Sequence, residues 1–153
     1  MSLGMVAKIT SLDATRKRRP HRRWQGSTMA KTILIVDDSA YVRRGLCELF
    51  KRESDFEVCG EAENGKEAID KALALHPDLI VLDLSMPVMN GLDAARVLKD
   101  RMPSVPIILF TLYVDSFVKE EAVHAGLSDL VSKSKHISAL IAKARGLLYR
   151  EAA

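Results

Sequence analysis

Residues 79–99 read LIVLDLSMPVMNGLDAARVLK and contain, in immediate succession, an apolar run, an acidic residue, a turn and a helical pattern. The run Leu79–Leu82 is apolar at every position, which is typical of a strand buried on both faces. The Asn90-Gly91 pair indicates a turn, and Leu92–Lys99 repeats apolar residues at helical spacing. This stretch therefore predicts a strand, a polar loop and a helix that packs back onto the strand.

The same succession recurs on both sides of this stretch. The predicted strands are Thr32–Val36, Phe56–Ala62, Leu79–Leu82, Pro106–Phe110 and Leu130–Val131. The predicted helices are Ser39–Lys51, Lys66–Leu75, Leu92–Lys99, Ser116–Ala125 and Ile137–Tyr149. In the first helix the spacing predicts one inward face, made of Tyr41, Val42, Gly45, Leu46, Leu49 and Phe50. Strands and helices that alternate with short connections predict an α/β fold, a doubly wound parallel sheet with helices on both faces.

Composition narrows the class of protein. The chain has 153 residues, of which 48% are hydrophobic and 28% charged, as expected for one globular domain. No apolar run approaches the ~18 residues of a membrane span, so we expect no contact with a membrane and a cytoplasmic location. Cys47 and Cys59 lack the spacing of a zinc site or a disulfide framework.

Charge is distributed unevenly. Residues 1–30 hold seven basic residues and one acidic residue, whereas the remainder holds 16 basic and 19 acidic residues. We therefore divide the chain into a basic tail, residues 1–29, and a domain, residues 30–153. The tail, with the cluster TRKRRPHRRWQG at residues 15–26, has three competing interpretations: a tag remnant with translated upstream sequence before Met29, a flexible arm that contacts nucleic acid or an acidic partner, or an organellar targeting peptide.

Polar residues follow four of the five predicted strands. Asp37 and Asp38 follow the first strand, Asp83 the third, Thr111 the fourth and Lys133 the fifth. Each has an ordinary structural explanation alone, such as a helix N-cap or a solvated lysine. Together they are harder to dismiss, because ligands bind beyond the carboxyl ends of the strands in such sheets.

A bound cation would offset the repulsion between the carboxylates of such a cluster. Two carboxylates a few Å apart repel by roughly 4 kcal/mol at an effective dielectric near 20. An all-oxygen ligand set without His or Cys suits Mg²⁺, which commonly binds one or two carboxylates together with a phosphate. A carboxylate beside Mg²⁺ can attack phosphorus, with Thr111 and Lys133 facing the phosphoryl oxygens. The cluster thus predicts Mg²⁺ and phosphoryl chemistry.

The quoted motifs resemble those of two-component response regulator receiver domains. The stretches ILIVDDS, LIVLDLSMPVMNG, PIILFT and LVSKS occur in the family's order, and the resemblance covers about residues 31–148. It implies a flavodoxin-like sheet of strand order 2-1-3-4-5. The DFEVCGEAENGKEAI stretch is similar to receivers of the nitrate-regulator type.

The resemblance also implies residue roles. Asp83 would accept a phosphoryl group from a sensor histidine kinase or phosphotransfer protein. Asp37, Asp38, Asp83 and the backbone carbonyl of Ser85 would hold Mg²⁺, and Thr111 and Lys133 would bind the phosphoryl group. The surface around helix 4, strand 5 and helix 5 would then switch, contact an output protein or output domain, and serve as a homodimer interface.

Three positions depart from the family pattern. Leu130 stands where many receivers have a Tyr or Phe that swings inward, Leu112 stands where a small residue is common, and Ser134 stands where Pro is common. The departures at Leu130 and Leu112 favour one alternative, a phosphate-independent pseudo-receiver. A small hydrolase with Asp83 as nucleophile is a second alternative. The leading expectation is a signalling switch, not an enzyme, that does not itself bind nucleic acid. Because helix 5 is followed closely by Ala153, we expect a standalone receiver or the amino-terminal piece of a DNA-binding regulator.

Overall fold

Five β-strands and five α-helices alternate in the computed structural model, which describes residues 29–135 and 137–149. The strands are β1 Lys31–Val36, β2 Phe56–Ala62, β3 Leu79–Leu82, β4 Ile107–Thr111 and β5 Asp129–Ser132. The helices are α1 Ala40–Lys51, α2 Gly65–Leu75, α3 Gly91–Arg101, α4 Ser116–His124 and α5 Ser138–Leu148. The predictions about the basic segment 1–28 lie outside the described residues.

The sheet is parallel throughout, and its strand order is β2-β1-β3-β4-β5. Both features confirm the predicted fold. The chain winds outward in one direction through β1 and β2 and in the other through β3, β4 and β5. The carboxyl ends of β1 and β3 are therefore the point where the strand order reverses, which is where such sheets bind ligands.

Alternate residues along the strands pack into two separate hydrophobic cores, one on each face of the sheet. Ile33 and Ile35 of β1 pack into a core with residues of α1 and α5, while Leu34 and Val36 pack into a core with residues of α2 and α3. All four are at most 1% exposed. This explains why the central strands are apolar at every position: helices cover both faces of the sheet.

Side-chain caps fix where four of the helices begin. Ser39, Asn64, Asn90 and Asp115 each accept a hydrogen bond from a backbone N–H in the first turn of α1, α2, α3 and α4. Each cap satisfies one of the donors that a helix start leaves unpaired. Within the described ranges, no helix is long and apolar enough to cross a membrane.

Three details of the sequence prediction need correction. Tyr41 is 82% exposed and Gly45 is exposed as well, so neither belongs to the inward face of α1, whose buried residues are Leu46, Cys47 and Phe50. Tyr41 lies in the first turn, two residues after the Ser39 cap, ahead of the part of the helix that packs on the sheet. β4 also extends through Thr111 and β5 runs from Asp129 to Ser132, because these residues continue the pairing between the two strands.

Candidate functional site

The acidic residues lie together where the strand order reverses. Asp37 directly follows β1 and Asp83 directly follows β3, and the N–H of Asp83 donates to the carbonyl of Val36 over 3.0 Å. The N–H of Asp37 donates in turn to the carbonyl of Ala62, at the end of β2, over 3.1 Å. The backbone of three neighbouring strands thus fixes the positions of both aspartates.

Three carboxylates form one cluster. One oxygen each from Asp37, Asp38 and Asp83 lie within 4.8 Å of one another. Asp37 is 1% exposed and Asp83 is 5% exposed, whereas Asp38 is open to solvent. In the part of the chain that the structure describes, the buried polar or charged residues are Asp37, Asp83 and Thr111. Burial of polar groups is therefore concentrated on residues that the sequence singles out.

Lys133 reaches into this cluster from the loop after β5. Its Nζ lies 2.6 Å from Oδ2 of Asp37 and 3.3 Å from Oδ2 of Asp83. Its side chain is only 15% exposed, so water screens these contacts weakly. The ordinary interpretation of Lys133 as a solvated surface lysine is thus wrong.

Backbone donors hold the second oxygen of each buried aspartate. Oδ1 of Asp37 accepts from the N–H of Ser39 over 2.9 Å, and Oδ1 of Asp83 accepts from the N–H of Leu84 over 2.8 Å. Each carboxylate consequently has one oxygen fixed by its own loop and one oxygen facing the Lys133 ammonium. The site presents a set of oriented acceptors, as a small hard cation requires.

Electrostatics in the cluster shift two pKa values upward. Burial raises the pKa of Asp83 above its usual range, and the negative charge of Asp37 raises it further, against the opposing effect of Lys133. Burial alone would lower the pKa of Lys133, but the hydrogen bond to Asp37 and the charge of Asp83 outweigh burial and raise it. Lys133 is therefore a permanent cation beside a carboxylate that is costly to ionise.

Thr111 and Ser85 differ in their placement. Thr111 is fully buried at the end of β4, its hydroxyl accepts from the N–H of Tyr113 over 3.3 Å, and its carbonyl accepts from the N–H of Lys133 over 2.8 Å. The last bond ties the Lys133 loop to the end of β4. Ser85 is exposed in the loop after β3, and its role as a backbone ligand stays a prediction.

Gly91 allows the start of α3 to approach the backbone of Asp83. Its N–H donates to the carbonyl of Leu84 over 2.8 Å. A Cβ atom at this position would collide with the carbonyl oxygen of Asp83 and come within 3.1 Å of the Cα of Leu84. Only glycine fits, so the start of α3 packs directly against the backbone of Asp83 and Leu84.

Sequence reasoning missed Arg43. Its Nη1 donates to the backbone carbonyl of Asp37 over 2.6 Å, and its Nε donates to Oε1 of Glu61 over 3.2 Å. Its side chain is 13% exposed. The available signal was a charged residue directly after Val42, on a helix that begins at the acidic pair.

The donor set fits Mg²⁺. All three cluster ligands are carboxylate oxygens, the type that this ion prefers, and two of them are desolvated. The position already attracts one cation, since the Lys133 ammonium contacts two of the three carboxylates.

The sequence and the fold of the chain match those of known proteins. Residues 33–145 match the family model of the response regulator receiver domain. A protein-glutamate methylesterase/protein-glutamine glutaminase of Methanosarcina acetivorans is 43% identical over 104 residues, which is 67% of this chain and 30% of that protein. The chain thus spans about a third of the length of this curated relative.

Two solved structures share the fold. A two-component response regulator of the LuxR family from Aurantimonas sp. superimposes with a TM-score of 0.76 at 30% identity, over 78% of this chain and 86% of that one. The response regulator domain of CheB from Thermotoga maritima superimposes with a TM-score of 0.74 at 27% identity, over 80% of this chain and 98% of that one.

Proposed function

The chain belongs to the response regulator receiver domain family, and from this premise we propose that it is a Mg²⁺-dependent phosphoryl-accepting switch with Asp83 as acceptor. The observation that carries the proposal is the buried cluster in which Asp37, Asp38 and Asp83 bring oxygens within 4.8 Å while Lys133 contacts two of them. A purely structural role would favour neutral residues here, because buried carboxylates that share a site oppose folding.

The metal ligands in this proposal are Asp37, Asp38, Asp83 and the backbone carbonyl of Ser85. When bound, Mg²⁺ supplies positive charge that offsets the carboxylates and the incoming phosphoryl oxygens. The two fixed oxygens of Asp37 and Asp83, held by Ser39 and Leu84, orient these ligands before any ion arrives.

Asp83 is the proposed nucleophile. A carboxylate oxygen of Asp83 forms the new bond to phosphorus while the bond from phosphorus to the leaving group breaks, and the donor keeps that electron pair. The donor would be a phosphohistidine of a sensor kinase or phosphotransfer protein. Oδ2 is the proposed attacking oxygen, since Oδ1 is held by the N–H of Leu84 whereas Oδ2 faces the Lys133 ammonium at 3.3 Å.

Lys133 and Thr111 are the residues proposed to bind the phosphoryl group and respond to it. The Lys133 ammonium lies 3.3 Å from Oδ2 of Asp83, so it would form an ion pair with the phosphoryl oxygens once that carboxylate carries the phosphoryl group. The Thr111 hydroxyl oxygen accepts from the N–H of Tyr113 over 3.3 Å, and its O–H would donate to a phosphoryl oxygen. A dianionic group that pulls both side chains would strain the β4–α4 and β5–α5 loops.

The output surface in this proposal is α4, β5 and α5. Leu112, Tyr113 and Phe117 are each more than 60% exposed at the β4–α4 connection and the start of α4. Leu112 and Tyr113 directly follow Thr111 in the chain, so a shift of Thr111 would be transmitted to them first. Partner docking or homodimerisation at this surface is the proposed output.

The methylesterase activity of the curated relative belongs to a protein of which this chain covers 30%. We propose no such catalysis for the receiver itself.

A pseudo-receiver that signals without phosphate is the second candidate, favoured by Leu130 in place of the usual aromatic residue. Thermal unfolding with a phosphoryl mimic separates the two candidates. Beryllium fluoride with Mg²⁺ should raise the melting temperature of the wild type more than Mg²⁺ alone, and should not do so for Asp83→Asn. If beryllium fluoride leaves the melting temperature of the wild type unchanged, the pseudo-receiver is favoured.

A further inference from the structure

The guanidinium of Arg43 is hydrogen-bonded to the main chain of a proposed metal ligand. Nη1 donates to the carbonyl oxygen of Asp37 over 2.6 Å, and Nε donates to Oε1 of Glu61 over 3.2 Å. The Arg43 side chain is 13% exposed. A short bond from a charged donor in a mostly desolvated place is among the stronger hydrogen bonds that a protein forms.

The carbonyl that Arg43 binds belongs to the peptide unit between two proposed ligands. β1 ends at Val36, and the N–H of Asp37 still pairs with the carbonyl of Ala62. The carbonyl of Asp37 lies past the last paired residue of β1. Because a peptide unit is planar, fixing its oxygen fixes the direction from the Cα of Asp37 to the Cα of Asp38. The relative orientation of the two carboxylates depends on this one plane.

The same loop is held at its other end. Oδ1 of Asp37 accepts from the N–H of Ser39, and the backbone N–H of Arg43 donates to the carbonyl of Ser39 over 3.0 Å. Arg43 therefore anchors the acidic loop twice, through its side chain at Asp37 and through its main chain at Ser39.

Arginine suits this task better than lysine. Its planar group offers separate donors in fixed directions, so the bond from Nε to Glu61 aligns Nη1 on the Asp37 carbonyl. An ammonium on a flexible stem would supply the charge without this alignment.

We propose that Arg43 is a positioning residue of the Mg²⁺ site, one that preorganises Asp37 and Asp38 by holding the peptide between them. The proposal rests on the proposed function, since it assigns a support to that metal site. Groups that orient ligands from outside the coordination sphere typically change metal affinity by about 10–100-fold when removed.

Two other roles for Arg43 predict a different change in Mg²⁺ affinity when Arg43 is replaced. If Arg43 acted only through its charge, its removal would tighten Mg²⁺ binding, because a cation near the site repels the ion. If it served only to join α1 to the end of β2, its removal would lower stability and leave the affinity of the folded protein unchanged. The positioning role alone predicts weaker binding.

The test is calorimetric titration of Mg²⁺ into the full chain, at a temperature where circular dichroism shows each variant to be folded. We expect Arg43→Gln to weaken binding by about ten-fold, and Arg43→Lys to retain part of the affinity. Arg44→Gln removes the neighbouring exposed arginine and should bind as the wild type does.

Unchanged or tighter binding by folded Arg43→Gln would overturn the proposal, as would an equal loss in Arg44→Gln. If Arg43→Gln does not fold, the titration of Arg43→Lys decides, because wild-type affinity there would overturn the proposal. A wild type that binds no Mg²⁺ would instead contradict the proposed function. The two failures are thus distinguishable.

Discussion

Nζ of Lys133 lies 2.6 Å from Oδ2 of Asp37, although the two residues are 96 positions apart in the chain. Asp37 is 1% exposed, so the ammonium neutralises a carboxylate that has almost no contact with water. The contact joins the loop after β5 to the loop after β1 across the carboxyl edge of the sheet. Lys133 and Mg²⁺ are therefore expected to share the task of balancing the same carboxylates.

Replacing Lys133 should make the stability of the protein depend more strongly on Mg²⁺. With a chelator present, Lys133→Ala should lower the free energy of unfolding by about 3 kcal/mol, because it leaves a buried charge without its partner. Added Mg²⁺ should then raise the melting temperature of Lys133→Ala more than that of the wild type. Lys143→Ala, which breaks a half-exposed pair with Asp129, is the matched control. Equal stability of Lys133→Ala and wild type in chelator would contradict the expected role.

Replacing Asp83 should stabilise the metal-free protein. Burial and the Asp37 charge raise the pKa of Asp83 in the folded state, so the stability that its protonated form provides is lost as pH rises through that pKa. Asp83→Asn removes the charge and should raise the free energy of unfolding at neutral pH in chelator, measured by urea denaturation. The advantage should shrink as pH falls and wild-type Asp83 becomes protonated. A less stable Asp83→Asn at neutral pH would mean that the bond to Lys133 outweighs the repulsion.

Substitution of Gly91 should lower the free energy of unfolding. Gly91→Ala places a Cβ against the carbonyl oxygen of Asp83, and we expect a loss of about 2–4 kcal/mol in the free energy of unfolding, since backbone must move. Gly146→Ala is the control, because α5 leaves open space there and helix propensity should add about 0.5–1 kcal/mol. Chemical denaturation of both variants checks the pair, and equal stabilities would show that the α3 start can shift freely.

The ion pairs of Arg145 should give a pH-dependent contribution to stability. Arg145 donates to both oxygens of Asp55, at 2.8 and 3.0 Å, and the hydrogen bond holds the pKa of Asp55 below its usual range. The stability is therefore present above the unfolded pKa of about 3.9 and is lost as pH falls through the lower folded value. Because these side chains are partly exposed, Arg145→Gln should cost only about 1 kcal/mol at neutral pH. The free energies of unfolding of wild type and variant should converge as pH falls. A difference that stays constant with pH would indicate instead that Arg145 stabilises the fold by packing on the Phe56 ring, whose centroid lies 5.3 Å from Cζ of Arg145.

The sequence predicted the sheet well because its strands carry an unambiguous signal. LIVL at residues 79–82 is apolar throughout, and the structure buries all four side chains. Tyr41 was misassigned because helical spacing identifies a face but not how far along the helix the sheet extends. The placement of Asp37, Asp83 and Lys133 at one edge followed from their position after strands.

Contacts that depend on side-chain reach were beyond prediction. Nothing in the spacing indicates that Lys133 turns toward Asp37, or that Arg43 bridges Asp37 and Glu61, because both depend on where the flanking loops direct a long side chain. Thr111, which could have been an ordinary strand residue, is distinguished only by being fully buried beside this cluster of charges.

Intact-protein mass after incubation with Mg²⁺ and acetyl phosphate is the most direct test that Asp83 accepts a phosphoryl group. Wild type and Asp70→Asn, a control that removes an exposed carboxylate from α2, should each gain one phosphoryl group that hydroxylamine removes. Asp83→Asn should gain none. Equal labelling of Asp83→Asn would contradict the assignment, and an unlabelled wild type, also with a phosphorylated histidine kinase as donor, would contradict the function.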